Sequence, residues 1–209
     1  MTNFFRQNLP YFIAVFTLLI FGGVPLLLCD KETVTLWVNS HYSRLADAVV
    51  LCMDKVGTVW FNLLVVSALC LWKGWKTAVQ GGVCFLLTTV VVNFFKHIVF
   101  PGEPRPTLYF EGKAVLRLIE GVTQLSTESF PSGHTAAAFA IAGVLAFTVR
   151  RKPLQWLFVL LAVIVGYGRI YLSQHFINDV YAGMIVGVVV TAMVYLSMDK
   201  ILKINIYIT

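Results

Sequence analysis

Two of the four histidines in this chain, His134 and His175, stand in short strings of residues equipped for acid–base and nucleophilic chemistry. One string is Pro131-Ser132-Gly133-His134. Another runs from Gly168-Arg169 to His175-Phe176-Ile177-Asn178-Asp179, and a third from Lys96-His97 to Pro104-Arg105-Pro106. Lys96, Arg105 and Arg169 are fixed cations, and guanidinium groups offer forked donors that match the oxygens of a phosphate. Ser132 and Gly133 precede an expected helix, where backbone N–H groups and the helix dipole favour an anion. His175 and Asp179 are spaced to meet on one helical face. A carboxylate there holds the imidazole tautomer and stabilises positive charge on the ring. His134 supplies a second imidazole, able to protonate a leaving oxygen. Together they provide a nucleophile, an orienting acid, a proton donor and an anion clamp. That set suits phosphoryl transfer, where positioning and charge stabilisation do most of the catalysis.

The elements that must position these residues are apolar and long. Of 209 residues, 58% are hydrophobic and 12% charged, against about 45–50% and about 25% in soluble domains. The excess gathers in six uncharged runs: Pro10 to Cys29, Val56 to Trp72, Thr77 to Phe95, Thr135 to Val149, Pro153 to Gly168 and Val180 to Met198. A helix needs about 20 apolar residues to cross roughly 30 Å of hydrocarbon, so the second, fourth and fifth runs are short and must borrow neighbours. The first run is too long for a signal-peptide core and no small-x-small cleavage pattern follows it. Leu26-Leu27-Leu28 before Cys29 lacks the small residue of a lipoprotein signal. The expectation is therefore an all-α membrane protein, a single domain over residues 1–209 built as a bundle of six transmembrane helices. Residues 30–55, with Leu36, Trp37, Tyr42, Leu45, Ala46 and Val49 among polar neighbours, suit a helix lying at the interface. Residues 111–125 permit a second such surface helix. Gly183 and Gly187 form a G-x-x-x-G whose expected use is close packing against a neighbouring helix of the same chain rather than a dimer face.

Charge orients the bundle. The net charge is +6, but Arg6, Lys73, Lys76, Arg150, Arg151, Lys152, Lys200 and Lys203 all fall on one side of the six runs, with Asp199 as the acid among them. The remaining acids, including Asp30, Glu32, Asp47, Asp54, Glu103, Glu128 and Asp179, fall on the other, as do all four histidines. Basic residues in short flanking segments mark the cytoplasmic side, so both termini are expected there and the reactive strings at the outer face. The positive balance is thus a topology signal and calls for no nucleic-acid partner. Cys70 and Cys84 lie inside runs and read as small apolar residues. Cys29 and Cys52 lie near the outer face, where pairing is permitted and left open by the sequence.

These strings resemble the type 2 phosphatidic acid phosphatase (PAP2) superfamily, which also contains the vanadium haloperoxidases. Its motifs are K-x6-RP, PSGH and SR-x5-H-x3-D within a six-helix core. Pro131-Ser132-Gly133-His134 matches the second unchanged. Arg169, His175 and Asp179 match the third at full spacing, with Gly168 where serine is usual. The first departs: eight residues, not six, separate Lys96 from Arg105-Pro106. The resemblance implies that His175 attacks phosphorus to form a phosphohistidine, that Asp179 positions it, and that His134 protonates the departing group. Lys96, Arg105, Arg169 and the N–H groups of Ser132 and Gly133 would hold the phosphoryl oxygens. No metal or other cofactor is implied, and no carboxylate–histidine cluster asks for one.

The expected partner is a membrane lipid that keeps its chains in the bilayer and presents a phosphate: undecaprenyl pyrophosphate, phosphatidic acid, phosphatidylglycerol phosphate or a lipid A phosphate. A six-span chain without large added domains points to a bacterial envelope lipid and the inner membrane. Two other readings compete. A vanadate-dependent haloperoxidase-like enzyme would use the same residues, but those relatives are mainly soluble. A lipid transporter or silent headgroup-binding protein would use the cations alone, and the presence of both His134 and the His175–Asp179 pair argues against it. His97, Glu103 and Glu128 are expected to be solvated bystanders, His41 interfacial, and Tyr171 and Phe176 packing residues.

Overall fold

The computed structural model describes residues 2–201, and every regular element among them is helical. In order they are α1 (Thr2–Gln7), α2 (Leu9–Leu28), α3 (Lys31–Ser40), α4 (Arg44–Asp54), α5 (Val59–Lys73), α6 (Trp75–Phe94), α7 (Pro106–Tyr109), α8 (Gly133–Val149), α9 (Lys152–Tyr171) and α10 (Ile177–Ile201). A 3₁₀ turn, Lys55–Gly57, links α4 to α5, and a π-helical turn, Phe95–Val99, extends α6.

Helix α8 is the hub. It packs against α6, α9 and α10, and its residues from Thr135 to Val144 are all buried. Lipid tails are as apolar as leucine, so helices in a bilayer associate through close packing of small residues rather than by escape from water. The alanines at 136, 137, 138, 140, 142 and 146 supply that surface. Gly183 and Gly187 of α10 answer it: a Cβ on Gly183 would stand 2.5 Å from the Ser132 carbonyl oxygen, and one on Gly187 2.3 Å from that of Ala136. The glycine pair therefore packs within the chain, as expected. At the other end of α8, Phe147 is surrounded by Phe4, Tyr11 and Tyr195, with ring centroids 4.9, 5.0 and 5.2 Å away.

Among the described residues, four helices are long and apolar enough to cross a membrane: Leu9–Leu28, Trp75–Val99, Lys152–Tyr171 and Ile177–Met198. The other two expected spans form helices that fall short of that length. Val56–Trp72 becomes α5, 15 residues or ~22 Å, bent 64° from Arg44–Gly57, and the two together have the length and composition of a fifth span that is broken, or of a re-entrant loop. Thr135–Val149 lies within the 17-residue α8, ~25 Å long. The interfacial helix expected from 30–55 is present as two, α3 and α4, divided at 41–43. The surface helix permitted over 111–125 does not form, and that stretch is irregular. Gly112 and Gly121 turn it with φ of +70° and +80°. Its backbone is satisfied by a side chain instead: Arg117 N donates to Asn39 Oδ1 and Asn39 Nδ2 donates to the Arg117 carbonyl, both at 2.8 Å.

Helix order sends Arg6, Lys73, Lys76, Arg150, Arg151 and Lys152 to the end of the bundle away from His134. The side chains of Asp199 and Lys200, and Lys203 altogether, lie outside the described residues. Cys29 and Cys52 are both free and exposed.

Candidate active site

The three reactive strings meet at one end of the bundle, each delivered by the end of a helix. His175 lies in the short connection between α9 and α10 and is 1% exposed. Two backbone bonds hold that connection, from Gln174 N and His175 N to the Arg169 carbonyl. Asp179 sits in the first turn of α10. Its Oδ2 accepts from Phe176 N at 2.9 Å and Ser129 Oγ at 2.5 Å, and lies 3.4 Å from His175 Nδ1. That last contact has ion-pair distance without hydrogen-bond alignment, so Nδ1 is buried with no formal partner. Arg105 Nη1 lies 3.2 Å from His175 Nε2.

The cations converge on the same ring. Arg105 is 4% exposed and donates to the carbonyls of Thr127, Gln174 and Glu128 at 2.8, 3.0 and 3.3 Å. Lys96 Nζ donates to that same Glu128 carbonyl at 2.6 Å. Glu128 can aim its oxygen at both because it adopts the left-handed conformation, φ 59°. The longer Lys96–Arg105 spacing is absorbed locally. The turn carrying Lys96 is π-helical, closed by Phe100 N to the Phe95 carbonyl at 2.8 Å, which takes one residue more than an α turn. Gly102, at φ +78°, then reverses the chain toward Arg105. Arg169, at the end of α9, is 5% exposed. Its Nη1 pairs with Asp54 of α4, its Nη2 reaches Gln174 Oε1 at 3.4 Å, and its Nε is buried without a partner among the described residues.

Ser132 and Gly133 open α8 as expected, but the Ser132 N–H is engaged: it donates to the Asp179 carbonyl at 2.9 Å, which ties the second string to the third. The Ser132 hydroxyl caps the helix, accepting from Thr135 N at 3.4 Å and Thr135 Oγ1 at 2.9 Å. His134 follows on the first turn, half-buried, with the Gly57 backbone pressed against it. A Cβ on Gly57 would come within 2.7 Å of both His134 Cβ and Cδ2.

Electrostatics set the ring's charge. His175 is held well below the ordinary histidine value, first by burial and then by Arg105, Arg169 and Lys96. Burial, followed by repulsion from Arg169, pulls Arg105 down to about 10, which leaves it a cation at neutral pH.

Of the bystanders, His97 Nδ1 and the Glu128 carboxylate pair at 3.2 Å on the surface. His41 stacks on Trp37, centroids 4.4 Å apart. Phe176 packs on Tyr109, and the Tyr171 hydroxyl donates to Asp47 Oδ1 at 2.5 Å. Four participants were not singled out from the sequence: Asp54, Gly57, Ser129 and Gln174. Asp54 is 115 positions from Arg169 and Ser129 is 50 from Asp179, so no local spacing signals them. Gln174 had a signal in its place beside His175.

An all-helical bundle with apolar spans and a buried cationic histidine site at one end defines a class of membrane-embedded phosphate-handling protein. A family model, the PAP2 superfamily, matches residues 77–203. The chain belongs to that superfamily. It is 26% identical over 155 residues to undecaprenyl-diphosphatase BcrC of Bacillus subtilis, a match covering 72% of this chain and 74% of that one. Among solved structures, Aquifex aeolicus LpxE superposes with a TM-score of 0.66 at 26% identity, over 78% of this chain and 93% of that one. The fold is also that of a transmembrane PAP2 type phosphatidylglycerolphosphate phosphatase from Bacillus subtilis, with a TM-score of 0.66 over 96% and 98% of the two chains at 19% identity. With its apolar spans, this kinship makes the chain an integral membrane protein.

Proposed function

We propose that the chain is a membrane lipid phosphatase that cleaves a lipid phosphate or pyrophosphate through a phosphohistidine on His175. The observation that carries the reading is the Arg105–His175 contact. A guanidinium only donates, so Nε2 of His175 is the acceptor and its lone pair faces the cations. The ring proton then belongs on Nδ1, toward Asp179, which is the tautomer a nucleophilic Nε2 requires.

In the reaction, the substrate's phosphoryl oxygens replace the Thr127 and Glu128 carbonyls on Arg105 and Lys96 and take the unpartnered Nε of Arg169, with the Gly133 N–H at the helix start adding to the cradle. Arg105 leaves Nε2 for the phosphate. His134 is held down to about 4 by burial and then by Arg169, and the substrate's negative charge favours its protonated form. His175 Nε2 attacks phosphorus, the bond to the leaving oxygen breaks, and His134 gives its proton to that oxygen. Asp179 steadies the positive charge on the His175 ring. Water then attacks phosphorus while His134 takes its proton, the N–P bond breaks, and phosphate departs with His175 neutral again.

The same reading takes the chain as one domain of six spans. Of the two short helices, α8 is enclosed by α6, α9 and α10, while α5 keeps an exposed apolar face for lipid and continues the bent Arg44–Gly57 segment; the basic end, with both termini, faces the cytoplasm. The site then opens at the outer face of a bacterial inner membrane, where undecaprenyl pyrophosphate, lipid A phosphate, phosphatidylglycerol phosphate and phosphatidic acid are the candidate substrates. The test is phosphate release from purified protein in detergent across that lipid panel, with and without a strong chelator. Turnover that survives the chelator and disappears in His175→Ala is expected. Strict dependence on added divalent metal, or a His175→Ala variant at wild-type rate, would overturn the mechanism.

A further inference from the structure

The match to the family model begins at residue 77, yet the site has a wall that comes from earlier in the chain. Helix α4 lies across the end of α9, and their contact is specific. Gly168 stands where the family motif has serine, and the missing side chain admits Val50: a Cβ there would be 3.1 Å from Val50 Cγ1. Around it Val38, Val50, Ile170, Tyr171 and Leu172 form a separate buried cluster that fixes α3 and α4 on α9. One helical turn beyond Val50, on the same face of α4, Asp54 meets the next residue of α9, Arg169, and pairs with its Nη1. Three residues further, Gly57 presses on His134.

We propose that Asp54 is a positioning residue of the phosphate site, acting through Arg169. This rests on the phosphatase reading above, in which one edge of the Arg169 guanidinium meets the substrate. Two parallel N–H bonds to an oxyanion use a fork, and the fork that includes the inner nitrogen is Nε with Nη2. Asp54 occupies Nη1, the donor outside that fork. What remains, among the described residues, is Nε, buried with no partner, and Nη2, with a 3.4 Å contact to Gln174 Oε1. A carboxylate so close to an anion site weakens the field that draws phosphate in. It is therefore of no use for binding and is explained by orientation, since it keeps the fork turned to the equatorial oxygens as charge shifts in the transition state.

This separates the proposal from a merely structural ion pair. In Asp54→Asn, kcat should fall about tenfold or more, as for a lost transition-state donor, while inhibition by inorganic phosphate stays the same or becomes tighter because a negative charge has gone. Asp54→Glu, which keeps the charge, should recover part of the loss. In an Arg169→Gln background, Asp54→Asn should cost nothing further, the signature of one residue acting through another. Wild-type turnover and its loss in His175→Ala report on the phosphatase reading independently. An Asp54→Asn variant within threefold of wild type, or one losing kcat and phosphate affinity together with its melting temperature, overturns the proposal. If Asp54→Asn alone does not fold, the charge-balanced Asp54→Asn/Arg169→Gln pair is compared with Arg169→Gln, and a further loss in the pair overturns it equally.

Discussion

The 3.2 Å contact from Arg105 Nη1 to His175 Nε2 fixes the proton on the far side of the ring, next to Asp179. On the proposed mechanism the nucleophile is thereby a neutral imidazole whose lone pair is masked by the cation that would hold the phosphate.

The first prediction concerns pH. His175 is pushed well below its ordinary value by burial and then by Arg105, Arg169 and Lys96, so acid must go further than usual to protonate it. The acid limb of kcat/KM that reports His175 should therefore lie below about 6.5, the unperturbed histidine value. Removing one of the cations in Arg105→Gln should move that limb upward, whatever it does to the rate. A limb at or above the ordinary value in the wild type would contradict the neutral, masked nucleophile.

Gln174 carries the second. Its Oε1 accepts from Arg105 and from Arg169 at 3.4 Å each, while its amide nitrogen donates to Gln124 Oε1 at 2.5 Å. A neutral acceptor between two guanidinium groups spaces them without cancelling their charge. Gln174→Glu would place a carboxylate where it pairs with both and competes with phosphate. Its KM should rise about tenfold, with a smaller change in kcat, the pattern of lost binding common to ground and transition states. Steady-state kinetics with inorganic phosphate as inhibitor separates the two.

Ser129 carries the third. Its hydroxyl donates to the same Asp179 oxygen that faces His175 Nδ1. Ser129→Ala should lower kcat by about threefold to tenfold through a less firmly held carboxylate, and Ser129→Thr, which keeps the hydroxyl, should recover most of it. An alanine variant indistinguishable from wild type would remove Ser129 from the site.

The fourth is a test of packing. Gly187 cannot accept a Cβ without moving the backbone carbonyl of Ala136, 2.3 Å away, whereas a Cβ on Gly82 meets nothing within 4 Å. Gly187→Ala should lower the melting temperature in detergent by several degrees, and Gly82→Ala should leave it within about a degree, as expected for overpacking against none.

Much of this site was legible because its chemistry comes in contiguous strings. Pro131 to His134 lies at one helix start, and Arg169 to Asp179 spans the short connection from α9 to α10, so spacing in sequence is close to spacing in space. What escaped detection was long-range. Asp54 is paired across 115 positions, and its register on α4 depends on the absence of a side chain at Gly168, a departure visible in the sequence whose consequence was not. The expected Ser132 N–H donor is taken by the Asp179 carbonyl, a bond that exists only because α8 and α10 approach through Gly183. Residues 111–125 have a composition that permits a helix, but Asn39 claims both polar groups of the Arg117 backbone, and tertiary contact overrides local preference.

The most direct measurement is to trap the intermediate. Wild-type protein mixed with a lipid substrate labelled in its terminal phosphate, quenched within milliseconds in base and digested, should yield a phosphorylated peptide containing His175 whose label is stable in alkali and lost in acid. The label should be absent from His175→Ala. No labelled peptide under any quench time, or a label on another residue, would contradict the account.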